Sequence, residues 1–361
     1  MEKALTYRDL IELFNLSLAR VSSCDKVCQE VIRTDRHDTL TFKQLRVNAE
    51  AFATWLLVES GLARGDKAAI VSKNRADWDP AFWGLILAGV VPVLIDPERG
   101  SQGVISHMQA TDCRCLILAD DYAEEEGRRE LADFCRAQGL RLVLLSGKPL
   151  CDLDSPNPDA LDAVAREIGP EDTAVILCTS GTTGDPREVE LTHGNLIANV
   201  QGSLRKVNLS EADVLGHILP PHHSFGMTVG KLLALAAGAT SIYTNKYREV
   251  ADLIRDRRVT IFIAIPALYT TLAKKLEDGI EKQKRQSRLV ALLDRYAPGY
   301  IGRKLRKKLG WTNVRFFLSG AAPMPRWVLE SLWRRGFKMF EGYGTTENSP
   351  VYGFNERLDK L

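Results

Sequence analysis

From Gln44 onward, apolar residues alternate between helical spacing and short unbroken runs. Leu45, Ala49, Phe52, Ala53, Leu56 and Leu57 fall on one face at a period of about 3.6 residues, which predicts an amphipathic helix. Runs rich in Val, Ile and Leu follow at 68–71, 91–95, 115–118 and 141–145, with a helical stretch near 78–87 between the first two. Further runs lie at 174–178, 214–219, 240–243, 259–263 and 314–318, and a short alternating one at 189–191. Runs of strand length separated by helical segments predict an α/β fold: largely parallel sheets flanked by helices on both faces. Ligands in such folds bind at the carboxyl ends of strands, so the loops there hold the candidate chemistry. The Asp- and Pro-containing stretch 152–159 reads as a surface connection.

The loop after 174–178 contains only small residues: Thr179, Ser180, Gly181, Thr182, Thr183 and Gly184. Glycine permits turns that aim successive backbone N–H groups at one anion, and the hydroxyls add donors without bulk. A phosphate cradle is the reading this composition favours, with a polar surface turn as its rival. The setting is strand, loop, strand, because Pro186 ends the loop just before the run at 189–191. A Walker loop instead ends in Gly-Lys-Ser/Thr and opens into a helix; no Lys follows Gly184 here.

At 361 residues the chain exceeds one ordinary core, so two or more subdomains are expected. A formal net charge of +2 gives no argument for nucleic acid as a partner. Seven cysteines, with no secretory leader read before them, point to free thiols in the cytoplasm. Cys24 with Cys28, and Cys113 with Cys115, lack the His/Cys partners that zinc spacing requires. The longest apolar stretch, 84–95, contains Pro92 and is too short to span a bilayer. Segment 274–308 carries twelve Lys/Arg against four Asp/Glu. It reads as a solvated helical pair, with attraction to an anionic membrane surface or an acidic carrier as the other reading.

Two more loops sharpen the phosphate reading. Ser319, Gly320, Ala321, Ala322 and Pro323 follow the run at 314–318, where small residues let a flat ring lie against the backbone. Gly342, Tyr343, Gly344, Thr345, Thr346 and Glu347 offer an aromatic face, two hydroxyls and a carboxylate. Tyr343 can stack a purine, the threonines can donate to phosphate, and Glu347 can hold Mg²⁺ through oxygen. Taken singly, a Tyr between glycines is often turn packing and a Glu after Thr-Thr a helix-start residue.

Together these loops resemble the signature motifs of the AMP-forming adenylating superfamily, which includes acyl-CoA synthetases, nonribosomal peptide adenylation domains and firefly luciferase. Supporting segments stand in the family's order: 40–45 (Leu-Thr-Phe-Lys-Gln-Leu), 88–97 (Ala-Gly-Val-Val-Pro-Val-Leu-Ile-Asp-Pro) and 221–227 (Pro-His-His-Ser-Phe-Gly-Met). The resemblance implies that residues 179–184 hold the ATP phosphates with Arg187 nearby, and that Gly320, Ala321, Ala322 and Tyr343 sandwich adenine. It implies that Thr346 contacts the α-phosphate and the substrate carboxylate, that Glu347 binds Mg²⁺, and that His223 lines the pocket beside Phe225 and Met227. His222 and His223 read without the family are a packed pair at a strand end. Met227 stands where fatty-acid enzymes gate an acyl tunnel, and the basic insertion resembles the helical extension of long-chain acyl-CoA synthetases. The expected activity is ATP-dependent activation of a medium- or long-chain fatty acid to acyl-AMP, then transfer to CoA. An acyl-carrier-protein ligase and a non-catalytic nucleotide- or acyl-binding module are the alternatives.

The family's architecture implies two stacked, largely parallel sheets: a first α/β subdomain at 58–205, and a second formed by 8–57 with 206–350. The resemblance also implies that residues 351–361 are a truncated end, that the barrel subdomain is incomplete, and that the C-terminal lid domain, with its catalytic lysine, lies outside this chain. Little complete turnover is therefore expected from the chain alone. Where the family continues Pro-Lys-Gly, this chain has Pro186, Arg187 and Glu188. Arg187 keeps the positive charge as a planar fork, and Glu188 adds a negative one.

Overall fold

The computed structural model describes residues 6–32, 37–122, 125–151, 156–179 and 187–355. Fourteen strands form two sheets among these residues. In chain order they are β1 (Val27–Ile32), β2 (His37–Thr41), β3 (Lys67–Val71), β4 (Val91–Ile95), β5 (Cys113–Ala119), β6 (Arg141–Leu145) and β7 (Thr173–Thr179). β8 (Arg187–Thr192), β9 (Val214–His217), β10 (Thr240–Thr244), β11 (Ile261–Ala264), β12 (Phe316–Ser319), β13 (Met339–Tyr343) and β14 (Gly353–Asn355) complete the set.

The smaller sheet runs β6-β5-β3-β4-β7-β8, all parallel except the antiparallel edge strand β8. The larger runs β14-β13-β12-β11-β9-β10-β1-β2, with antiparallel strands only at its two ends. This is the α/β architecture that the alternation predicts, and among the described residues neither sheet closes into a barrel. The interior strands are apolar because both faces are covered: every residue of β4 and β11 is buried.

Punctuation in the sequence falls where the backbone needs it. The apolar stretch 84–95 is divided by Gly89 at φ +66°, which ends the helix Trp78–Leu87 and turns the chain into β4. The motif at 40–45 is the junction between β2 and the helix Phe42–Val58. Thr41 Oγ1 accepts from Gln44 N at 3.1 Å while Gln44 Oε1 accepts from Thr41 N at 2.9 Å, a reciprocal cap. Thr192 and Asn195 repeat the device at the helix His193–Lys206. The basic segment differs from the expected helical pair. It forms three helices, Pro266–Gln286, Arg288–Tyr296 and Pro298–Leu309, because Ser287 and Pro298 each break the run. No described helix is long and apolar enough to cross a membrane.

One buried ion pair stitches the two sheets' helices together. Residues Gly226–Leu232 form a widened π-helical turn, and Lys231 near its end places Nζ 2.9 Å from Asp79 Oδ2 on the helix Trp78–Leu87. The ammonium also lies 3.2 Å from the Tyr243 hydroxyl and over the Trp78 and Tyr243 rings. Burial pushes the Asp79 carboxyl up and the Lys231 ammonium down, and their mutual attraction opposes both shifts.

Candidate functional site

The carboxyl ends of β12 and β13 bring two of the predicted loops side by side. Ala321, Ala322, Glu341, Gly342, Tyr343 and Gly344 line one open cleft of about 610 Å³, closed on its far side by Tyr352, Gly353 and Phe354. Tyr343 is 74% exposed and its ring faces that of Tyr352 at 6.5 Å, so an apolar planar surface stands ready at the mouth. Met324 N donates to Glu341 Oε1 at 2.7 Å, which ties the β12 loop to β13. Ala321 adopts φ +69°, a left-handed conformation uncommon for a residue with a Cβ.

Two glycines are required by close approach. A Cβ on Gly320 would lie 2.7 Å from Phe225 Cζ, and one on Gly344 would lie 1.5 Å from the Pro350 carbonyl oxygen. Phe225 therefore packs its ring on the backbone of the β12 loop, forming a wall shared with segment 221–227. The same segment reaches the third loop, where Ser224 Oγ is 3.3 Å from Thr346 Oγ1. Thr345 Oγ1 accepts from Asn348 Nδ2 at 3.1 Å, and Asn199 Nδ2 holds the Val351 carbonyl at 2.8 Å. Glu347 is exposed beside them. A single exposed carboxylate next to hydroxyls suits Mg²⁺, which binds through one or two carboxylates plus substrate phosphates and keeps its waters.

The phosphate-loop strands are β7 and β8, paired antiparallel with Thr179 opposite Arg187. Thr179 Oγ1 donates to the Arg187 carbonyl at 3.2 Å, closing the base of the hairpin. Ser180, Gly181, Thr182, Thr183 and Gly184 lie outside the described residues. β8 packs beside the Thr346–Asn348 turn, so the hairpin's base faces the same loop as the other two motifs. Glu188 is turned to the opposite side of the strand from Arg187. Its Oε1 lies 3.0 Å from Nδ1 of the buried His107, which gives this departure from the family pattern a structural partner.

His222 and His223 do form a packed pair, with ring centroids 4.5 Å apart. His222 is the buried member, its Nε2 3.6 Å from Asp96 Oδ1, and burial beside His223 pushes its pKa down to about 3. His223 is exposed, and partial desolvation lowers its pKa against the raising effect of Asp96. Both imidazoles are thus neutral near pH 7, suited to donate or accept without repelling a cation. Met227 is fully enclosed within the core, one residue into the π-helical turn. Ser224 and Asp96 were not singled out from the sequence. Asp96 sits in the quoted motif at 88–97, but its approach to His222 depends on how the two sheets pack.

Buried neutral histidines also set an acid limit on stability. His193 is pushed down to about 4, and His217 and His222 to about 3, in each case chiefly by burial. Their folded pKa values lie below the unfolded value of roughly 6.5, so the unfolded chain binds protons first as pH falls. The stability they contribute is complete above about pH 6.5 and is lost as pH falls toward about 4 for His193 and about 3 for His217 and His222, at about 1.4 kcal/mol per pH unit for each histidine. Urea unfolding at pH 7, 6 and 5 is expected to show this slope. A flat profile would mean these side chains gain solvent or partners before unfolding.

Comparisons with known proteins identify the family and the fold. Residues 20–360 match the family described as AMP-binding enzyme. Long chain acyl-CoA synthetase 6, peroxisomal, of Arabidopsis thaliana is 34% identical over 84% of this chain and 47% of its own length. 4-Coumarate–CoA ligase 3 of the same plant is 28% identical over 91% and 54%. The chain thus spans about half the length of these curated relatives. Among solved structures, ATP-bound MatB from Rhodopseudomonas palustris superposes with a TM-score of 0.72 at 22% identity, over 95% of this chain and 61% of that one.

Proposed function

Because this chain belongs to the AMP-binding enzyme family, we propose that it carries the nucleotide and acid site of an enzyme that activates a medium- or long-chain fatty acid as its acyl-adenylate. The observation that carries the reading is the junction at the site: the β12 loop, the loop after β13 and segment 221–227 meet through Gly320 with Phe225 and through Thr346 with Ser224. A relative named as a long-chain acyl-CoA synthetase supports the fatty acid, and a 4-coumarate ligase marks aromatic acids as the competing class.

In this reading a carboxylate oxygen attacks the α-phosphorus of ATP, the bond to pyrophosphate breaks, and acyl-AMP forms. A thiol, that of CoA or of an acyl carrier protein, then attacks the acyl carbonyl and displaces AMP. Tyr343 stacks adenine against Gly320, Ala321 and Ala322, while residues 179–184 and Arg187 hold the phosphates. Thr346 donates to the α-phosphate and orients the carboxylate; neutral His223 lies beside it, and Met227 borders the acyl chain. Glu347 would hold Mg²⁺, which would supply neutralisation of phosphate charge. Most of the catalysis so described is positioning and electrostatic stabilisation by fixed donors. The reading includes contact of the basic segment 274–308 with an anionic membrane surface.

Tyr343→Ala is expected to weaken ATP–Mg²⁺ binding roughly tenfold or more, since base stacking on an aromatic ring contributes about 1–3 kcal/mol. Calorimetry on this chain measures it, and the side chain's exposure means folding is spared. Unchanged affinity would remove adenine from this cleft. In the complete protein, pyrophosphate exchange across a panel of carboxylic acids tests the activity. If no acid stimulates exchange and Thr346→Ala and Glu347→Ala behave as the parent, a non-catalytic binding module is the better description.

A further inference from the structure

The helix Arg288–Tyr296 is packed inside out. Its one buried residue is Asp294, whereas Leu289 is 65%, Leu292 55% and Tyr296 71% exposed. Asp294 is drawn inward by charge: Oδ1 lies 3.1 Å from Nη2 of the buried Arg335, and Oδ2 lies 3.4 Å from Lys284 Nζ. Arg335 is held in turn by Glu277 at 2.6 and 2.9 Å. The following helix, Pro298–Leu309, is pressed onto the same point, because a Cβ on Gly302 would lie 1.7 Å from the Arg335 carbonyl oxygen. Rolling the helix Arg288–Tyr296 to hide Leu289 and Leu292 would withdraw Asp294 from Arg335 and leave a guanidinium with one partner fewer in the interior.

The outward face is therefore built into the packing. It carries Leu289, Leu292, Tyr296 and Tyr300, bordered by cations. Lys304 Nζ lies 4.8 Å from the Tyr300 ring and the Arg295 guanidinium 5.3 Å from the Tyr296 ring. Two of the four acids in segment 274–308, Glu277 and Asp294, are turned onto Arg335, so the exposed surface is more basic than the composition alone indicates.

We propose that this face is a docking surface for an anionic membrane, with the leucines and tyrosines entering the headgroup boundary and the Lys/Arg border meeting lipid phosphates. Apolar and aromatic side chains ringed by Lys and Arg are the pattern of helices that lie in an interface. A second copy of this chain would set like charge against like. A protein partner's anchor residues need receiving pockets, and the cleft at the nucleotide loops does not reach these helices. The proposal rests on the partner reading of segment 274–308 and on no catalytic step, so vesicle binding and adenylation succeed or fail separately.

Flotation of the chain with vesicles tests it. The chain should float with vesicles of equimolar phosphatidylcholine and phosphatidylglycerol, weakly or not at all with pure phosphatidylcholine, and less as salt is raised. Leu289→Ser with Leu292→Ser should reduce partitioning by about tenfold or more, and Arg295→Glu with Lys304→Glu should do the same. Val58→Ser, at an exposed apolar residue elsewhere, should change nothing. All five replaced residues are solvent-facing, and thermal unfolding checks that each variant folds. The proposal is overturned by equal binding to neutral vesicles, by variants that float like the parent, or by no flotation at all. It is equally overturned if the same variants instead abolish a dimer or the capture of an acidic carrier protein.

Discussion

Gly344→Ala should lower adenylate formation about a hundredfold while the chain stays folded, because displacing a reacting geometry by 1 Å is enough for a loss of that size. Its new methyl would meet the Pro350 carbonyl oxygen at 1.5 Å and Val351 Cα at 3.1 Å, both backbone atoms that no rotamer can move aside. The loop from Gly342 to Glu347 must shift as a whole, carrying Tyr343 off its partner surface and Thr346 off Ser224. ATP calorimetry on this chain and pyrophosphate exchange in the complete protein read the loss, with circular dichroism as the folding control. Gly279→Ala, where nothing lies within 4 Å, should leave both assays unchanged. Parental ATP affinity in Gly344→Ala would mean that the loop does not hold nucleotide.

The second large effect concerns stability. Lys231→Ala is expected to cost about 3–5 kcal/mol, since it strands the Asp79 carboxyl in the interior with only the Tyr243 hydroxyl, at 3.4 Å, for company. Against a total stability of about 5–15 kcal/mol for a typical domain, that is enough to move the urea midpoint far down. Replacing both partners, as Asp79→Leu with Lys231→Met, should recover most of the loss, because the cost lies in the unpaired charge and not in missing volume. A double variant as unstable as the single one would assign the effect to packing around Trp78 and Tyr243. Lys231 lies near the end of the π-helical turn that begins just after Phe225, so any surviving single variant should also bind nucleotide less well.

Legibility in the sequence followed burial. β3, β4, β5 and β7 stand out as apolar runs because both of their faces are covered, and the helices between them keep a clean apolar stripe. β2 offers no apolar run: of its five residues only Leu40 is buried, and the others are polar, as suits an edge. β14, three residues long, is too short to carry any periodicity. Strand ends drifted for local reasons. The run at 259–263 begins as β11 only at Ile261, because Arg258 turns the chain at φ +53°.

The loops of the candidate site were legible as chemistry, since Tyr343, Thr346 and the small residues at 320–322 are informative by type. Their contacts were not. Phe225 reads as a pocket residue by type, but nothing in the chain's pattern indicates that its ring packs on the backbone at Gly320. Glu188 was read as a negative charge added near the phosphates, yet it faces His107. The first depends on how segment 221–227 packs against the loop after β12, the second on which side of β8 Glu188 occupies and on what the sheet order places beside it.

The ring of Phe225 against Gly320 has a thermodynamic corollary. In the proposed reading one wall borders both ligands, so ordering it for the first leaves less to be ordered for the second. Nucleotide and acid should then each tighten the other's affinity by the same factor, whichever is added first.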